Sequence, residues 1–281
     1  TDPPYGLSFM GKRWDYDVPS VAIWEQCLRV LKPGGHLLAF AGTRTQHRMA
    51  VNIEDAGFEI RDMIAWTYGN GFPKSQNVGK AVDKKLGNER KVIGQTTHAR
   101  KGVAAAEQRT TVGAGAFGED RTASVTEGSS DWEGWGTALK PALEPITVAR
   151  KPFKGTVANN VLEHGTGAIN IDGCRVESAG GNDYQHNVTR LKAHHGFEGK
   201  SFAMQEKNIT VPNDLGRWPA NLIHDGTDEV TELFPDVKGC ATARFFYCPK
   251  ATKKDRGEGN THPTVKPTDL MAYLCRLVTP P

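Results

Sequence analysis

The chain lacks any apolar run approaching the roughly 18 residues that a membrane-spanning helix needs, and nothing in it resembles a signal peptide. Its five cysteines, Cys27, Cys174, Cys240, Cys248 and Cys275, are odd in number and form no CxxC pair. That spacing argues against a disulfide framework and against a zinc site, and a reduced, cytoplasmic setting is the default expectation. There is no internal repeat, so a solenoid or propeller is not expected. A large excess of one sign of charge is also lacking, with a formal net charge of only +3, which permits nucleic-acid binding without arguing for it.

What is present is ordinary for a globular protein: 281 residues, 38% hydrophobic and 24% charged. That length can bury one large core, or a core plus a smaller lobe. Glycine is abundant at 31 residues and follows no period, so it belongs to loops and turns. The basic residues are concentrated rather than many. Between Pro73 and Thr110 nine Lys or Arg, Lys74, Lys80, Lys84 and Lys85 among them, face three acids, a local net charge of +6. A solvated charged face and a phosphate-contacting one are both compatible with that cluster.

The first seventy residues alternate between helix and strand patterns. Ser20, after Pro19, suits an N-cap for a helix in which Val21, Trp24, Leu28 and Leu31 share one face. Pro33-Gly34-Gly35 ends it. His36 to Gly42 is a short apolar run of the kind buried on both faces of a parallel sheet. A second helix is expected from about Arg44 to Ala56, with Gly57 just past its end, and Phe58 to Trp66 reads as a strand. This order points to an open α/β sheet, whose ligands bind beyond the carboxyl ends of the strands. Arg44 stands at one such end, where contact with DNA and capping of a helix are both open. Beyond Gly69 the chain turns polar. A helix is expected from Ser75 to Leu86, closed by Gly87, and Ala104 to Ser130 reads as a long flexible loop. Leu143 to Lys151 reads as a strand in which Pro145 suits an edge or the strand start. Regular structure looks sparse from Pro152 to Thr242. Ala243 to Cys248 then reads as a strand, and Thr268 to Val278 as a helix with Leu270, Met271, Leu274, Cys275 and Val278 at helical spacing.

Asp2-Pro3-Pro4-Tyr5 carries the strongest chemical signal. Two successive prolines hold the backbone extended and remove two amide donors. The Asp2 carboxylate and the neighbouring carbonyls then act as rigid acceptors, suited to the two hydrogens of an exocyclic amine, while Tyr5 offers a flat face for stacking. A tight turn with an incidental tyrosine is the plainer alternative. His262-Pro263-Thr264-Val265-Lys266-Pro267 is by itself an ordinary proline-bounded turn before a helix. Gly113-Ala114-Gly115-Ala116-Phe117-Gly118 fits GxGxxG, yet no strand precedes it and no apolar helix follows, so it reads as linker. His186, His194 and His195 lack acidic or cysteine partners at metal spacing and read as surface loop; no metal is expected.

Asp-Pro-Pro-Tyr followed by Gly resembles the catalytic motif of DNA amino-methyltransferases. The chain is similar to the adenine-N6/cytosine-N4 group with permuted order, in which catalysis comes first. Lys32 to Gly42, Glu144 to Lys151 and Phe245 to Lys250 look like strands of that family. His262 to Pro267 is similar to the segment folding over the methionine part of S-adenosyl-L-methionine. The resemblance covers residues 1–72, 141–153 and 243–281. It implies a Rossmann-like S-adenosylmethionine-dependent methyltransferase sheet, mixed because one strand reverses, with an inserted, loop-rich target-recognition lobe. The implied division is 1–72 catalytic half, 73–140 basic insertion, 141–153 returning strand, 154–242 target recognition and 243–281 cofactor side.

By the same resemblance Asp2, Pro3, Pro4 and Tyr5 are catalytic, and Thr264, Lys266 and Pro267 touch S-adenosyl-L-methionine; from the local basic charge, Lys74, Lys80, Lys84 and Lys85 are expected to meet double-stranded DNA. Methylation of adenine N6 in a flipped base is implied first. A cytosine-N4 enzyme, for which Ser would suit position 2 better, and a non-catalytic DNA-binding remnant are the alternatives. Protein-glutamine and RNA methyltransferases usually carry Asn there. The family's Asp/Asn-Pro-Phe-x-Gly-x-Gly cofactor loop and the strand leading into Asp2 are missing. A chain truncated at both ends, poor in cofactor binding and inactive alone, is therefore expected. Neither the oligomeric state (a homodimer is one option) nor a cognate restriction endonuclease is fixed by these residues.

Overall fold

A computed structural model describes residues 1–8, 11, 13–69, 71, 73, 75–98, 121–176, 216–232, 234, 236–237, 240–241, 245–248, 250–251, 255, 260 and 265–280. The chain forms two compact units, Thr1–Asn70 with Ala142–Pro281, and Gly71–Pro141. The GxGxxG segment 113–118 and His186, His194 and His195 lie outside the described residues.

The larger unit is mixed α/β. Helices α1 (Val21–Val30) and α2 (Gln46–Asp55) alternate with strands β1 (His36–Phe40) and β2 (Glu59–Thr67), close to the expected bounds. Ser20 occupies the cap position of α1, but its side chain makes no capping bond; instead its carbonyl accepts from the Ile23 amide at 3.0 Å. The second unit supplies α3 (Val78–Leu86), β3 (Lys91–His98) and β4 (Arg121–Glu127). The chain then returns through β5 (Leu143–Arg150), α4 (Val157–His164), β6 (Leu222–His224), α5 (Asp228–Thr231), β7 (Asp236–Val237), β8 (Cys240–Ala241), β9 (Phe246–Tyr247) and α6 (Thr268–Val278).

Five strands pair in the order β1-β5-β2-β6-β9. Strand β5 is antiparallel to both neighbours, whereas β2, β6 and β9 pair in parallel. So β5 lies inside the sheet, which corrects the expectation of an edge for Pro145; the proline stands third in the strand, near its start. The ladder tolerates this proline because its nitrogen faces β1, which ends at Phe40, paired with Ile146. Only the Pro145 carbonyl is used on that side, accepting from the Ala41 amide at 3.0 Å.

Alternation along the strands sorts two cores. Phe40, Ile64, Trp66, Ile146, Val148 and Ile223 face α6, which buries Leu270, Tyr273, Leu274 and Leu277. Those four positions follow the i, i+3, i+4, i+7 spacing of one helical face. Of the expected stripe, Cys275 is exposed, because the face turns toward Tyr273 and Leu277. On the other side Ala39, Ala41 and Ala149 lie against α1 and α2, where Trp24, Met49 and Ile53 are buried. The alanines let the helices approach closely, and burying each large side chain contributes about 1.5–3 kcal/mol.

Three segments expected to be irregular are ordered. Strand β6 enters the main sheet from within the stretch 152–242. Helix α4 is bracketed by Thr156, whose side chain accepts from the Asn159 amide, and by left-handed Gly165; at eight residues it is too short for a clear period. Residues Arg121–Glu127, placed in a flexible loop, pair with β3 as an antiparallel ladder. In this second unit Arg90 ties the hairpin to α3. It pairs with fully buried Asp83 and with Glu133 at 2.8 Å, and donates to the Thr126 carbonyl at 3.0 Å. Helix α3 starts later than expected because Ser75 is otherwise engaged, its hydroxyl accepting from the Thr137 amide at 2.9 Å. Asn77 caps instead, accepting from the Lys80 amide at 2.8 Å.

Candidate functional site

The site lies at the carboxyl ends of β1 and β2, where β5 enters the sheet from the opposite direction. The Thr1 amine donates to the Leu38 carbonyl at 2.7 Å, and the Thr1 carbonyl accepts from the Phe40 amide at 3.1 Å. That exchange runs the chain beside β1 in parallel and delivers Asp2-Pro3-Pro4-Tyr5 to its carboxyl end.

Tyr5 is then held at every polar atom. Its amide donates to Asp15 Oδ1 at 2.7 Å, and its carbonyl accepts from the Thr45 hydroxyl at 2.6 Å. Asp15, 2% exposed, also accepts from the Gly6 and Leu7 amides at 3.0 and 3.3 Å. Three successive amides converging on one carboxylate force a tight bend. Gly6 makes it with φ +67°, where a Cβ would stand 2.9 Å from the Val18 nitrogen.

The Tyr5 hydroxyl reaches two carboxylates, Asp2 Oδ1 at 2.9 Å and Glu144 Oε2 at 3.1 Å. The Lys266 ammonium lies 3.0 Å from each of the same two oxygens. It also sits 4.9 Å from the centre of the Phe40 ring and 5.3 Å from that of Tyr5, a distance at which an aromatic face attracts a cation. Burial, then the charges and hydrogen bonds of Glu144 and Asp2, push the Tyr5 pKa well above the ordinary tyrosine range, so the hydroxyl remains a donor. Tyr68, at the end of β2, is pushed up to about 12 by burial and then by the neighbouring carboxylate of Glu144. Lys250 lies 3.7 Å above the Tyr68 ring.

Asp2, Tyr5 and Lys266, from the two ends of the sequence, are thus brought together, with Pro3 and Pro4 between the first two. Pro267 is buried, and its carbonyl accepts from the Met271 amide at 3.1 Å, opening α6. Thr264 and Lys74 lie outside the described residues. Lys80, Lys84 and Lys85 are exposed on α3 of the second unit. Sequence reasoning missed Glu144, Asp15, Thr45 and Phe40 as parts of the site. Only Glu144 left a trace, an acid in register with the buried Ile146 and Val148. Among the described residues no cluster of His, Cys, Asp or Glu is arranged to hold a metal, and no helix is long and apolar enough to cross a membrane.

Comparison with known proteins adds a family. Residues 1–281 match the N6/N4 methyltransferase family model, described as DNA methylase. The Type II methyltransferase M.HindIII of Haemophilus influenzae is 27% identical over 154 residues, covering 53% of this chain and 38% of that protein. The chain therefore spans well under half the length of that relative. No solved structure matches.

Proposed function

The chain belongs to the N6/N4 DNA methylase family, and on that premise we propose that it takes part in methylating an exocyclic amine of a base flipped out of duplex DNA, adenine N6 first. The observation that carries this reading is the convergence of Asp2, Tyr5, Glu144 and Lys266 at the carboxyl ends of β1 and β2. The five-stranded sheet is read as the Rossmann-like methyltransferase sheet, and 73–140 and 154–242 as the regions that meet DNA.

The donor set suits a cationic methyl donor, since two carboxylates and two aromatic faces already surround one cation, Lys266. Lys266, Pro267 and Thr264 are the residues that would hold S-adenosyl-L-methionine. When bound, that cofactor supplies a methyl group made electrophilic by a sulfonium. Asp2 and the Pro3 carbonyl accept the amine hydrogens, which leaves the nitrogen lone pair directed at the methyl carbon. Both contacts already made to Asp2 use Oδ1, so Oδ2 is the acceptor they do not use. The Tyr5 ring, clamped through its amide, carbonyl and hydroxyl, gives the base a fixed face to stack on. Orientation of this kind supplies much of the acceleration, and no covalent nucleophile is needed. Duplex DNA is the partner this reading requires; a homodimer and a cognate restriction endonuclease are compatible with it.

The test is mass spectrometry of nucleosides from plasmid DNA incubated with the full-length protein and S-adenosyl-L-methionine. N6-methyladenine supports the reading. N4-methylcytosine would move it to the sister reaction, and unmodified DNA with retained salt-dependent binding would point to a non-catalytic DNA-binding protein.

A further inference from the structure

We infer that Glu144 is a positioning residue for methyl transfer, drawing the Tyr5 hydroxyl and the Lys266 ammonium away from Asp2 so that Asp2 can receive the substrate amine; this rests on the reading of the site given above. Glu144 stands immediately before Pro145, which restricts it to extended backbone. Its place in β5 is two residues before Ile146 and opposite Trp66. Alternation therefore puts it on the α6 face, at the end of the apolar stripe formed by Ile146 and Val148. A carboxylate there is costly unless paired, and Glu144 has two partners, Tyr5 and Lys266.

The Tyr5 hydroxyl has a single hydrogen and two carboxylate acceptors, Asp2 Oδ1 at 2.9 Å and Glu144 Oε2 at 3.1 Å, so it can donate to only one at a time. Lys266 is likewise shared at 3.0 Å from each. When an amine enters and needs Asp2, the Tyr5 proton turns to Glu144 while the ring keeps its plane. Without Glu144, both Tyr5 and Lys266 fall to Asp2. With both donors held on its Oδ1, the Asp2 carboxylate then accepts the amine hydrogens less strongly through Oδ2.

The experiment compares steady-state methyl transfer by the full-length protein with that of Glu144→Gln, Glu144→Ala, Tyr5→Phe and the Tyr5→Phe/Glu144→Ala double variant. The loss of a charge-assisted contact made in the reacting complex lowers kcat about ten- to a hundredfold in Glu144→Ala, with KM for DNA within about threefold of wild type. Glu144→Gln, whose amide oxygen still accepts the Tyr5 proton, recovers part of the loss and keeps the side-chain volume if the alanine variant folds poorly. The double variant is no slower than the slower single one, because both changes remove the same contact. Wild-type kcat in both Glu144 variants, or losses that multiply in the double variant, would overturn the inference while leaving the methyltransferase reading intact. A wild-type protein that transfers no methyl group would remove that reading and this inference with it.

Discussion

The Lys266 ammonium lies 3.0 Å from the carboxylate of Asp2, joining a residue just before the last helix to one at the start of the chain. Two segments far apart in sequence thereby meet in one place. Lys266 cannot be regarded as a free cation awaiting a cofactor carboxylate, because Asp2 and Glu144 already hold it. Its removal would leave two carboxylates without their shared counter-ion.

Lys266→Met should therefore lower kcat, and not merely weaken cofactor binding, by about ten- to a hundredfold. Steady-state kinetics at saturating S-adenosyl-L-methionine distinguish the two. Full recovery of rate at high cofactor concentration would limit Lys266 to a binding role.

Asp15 supports the same site from beneath. Asp15→Ala strands the amides of Tyr5, Gly6 and Leu7, and the expected loss of stability is about 3 kcal/mol, from the range for hydrogen bonds to a charged group. Asp15→Asn, which keeps one oxygen acceptor, should lose less. Urea denaturation of the three proteins measures both steps.

How much of this was legible in the sequence depended on period and on distance. Helices α1 and α2 and strands β1, β2 and β5 carry long or clean apolar patterns and stand near their expected bounds. Strand β6 is three residues long and sets no period, so only its pairing with β2 and β9 reveals it. Strand β4 did carry a local signal in Thr122, Val125 and Thr126, but the polar, glycine-rich stretch before it outweighed that signal. Within the site, Asp2 and Tyr5 were visible because diproline chemistry is local. Asp15 and Glu144 were not, since a lone acid has no role until tertiary contacts give it amides or a lysine to hold.

His36, half-buried at the start of β1, gives a pH test of the fold. Burial first, and then the charges of Arg150 and Arg61, lower its pKa below the ordinary value. Below about pH 6.5 the unfolded chain binds a proton that the folded protein refuses, so stability falls as the pH drops. His36→Gln should flatten that decline, as read from urea midpoints at about pH 7 and about pH 5.

The exposed lysines of α3 test DNA contact separately from chemistry. Each of Lys80, Lys84 and Lys85 that meets a phosphate should, when changed to Ala, reduce the slope of log affinity against log salt by about 0.9. An unchanged slope in all three variants would make this helix face merely solvated.

The decisive measurement is labelled methyl incorporation into duplex DNA by Asp2→Ala full-length protein, taken beside its DNA affinity. Incorporation should disappear while binding stays near that of the wild type if the carboxylate receives the amine rather than gripping the duplex. Incorporation persisting at the wild-type rate would contradict the assignment of Asp2 and of the site built around it.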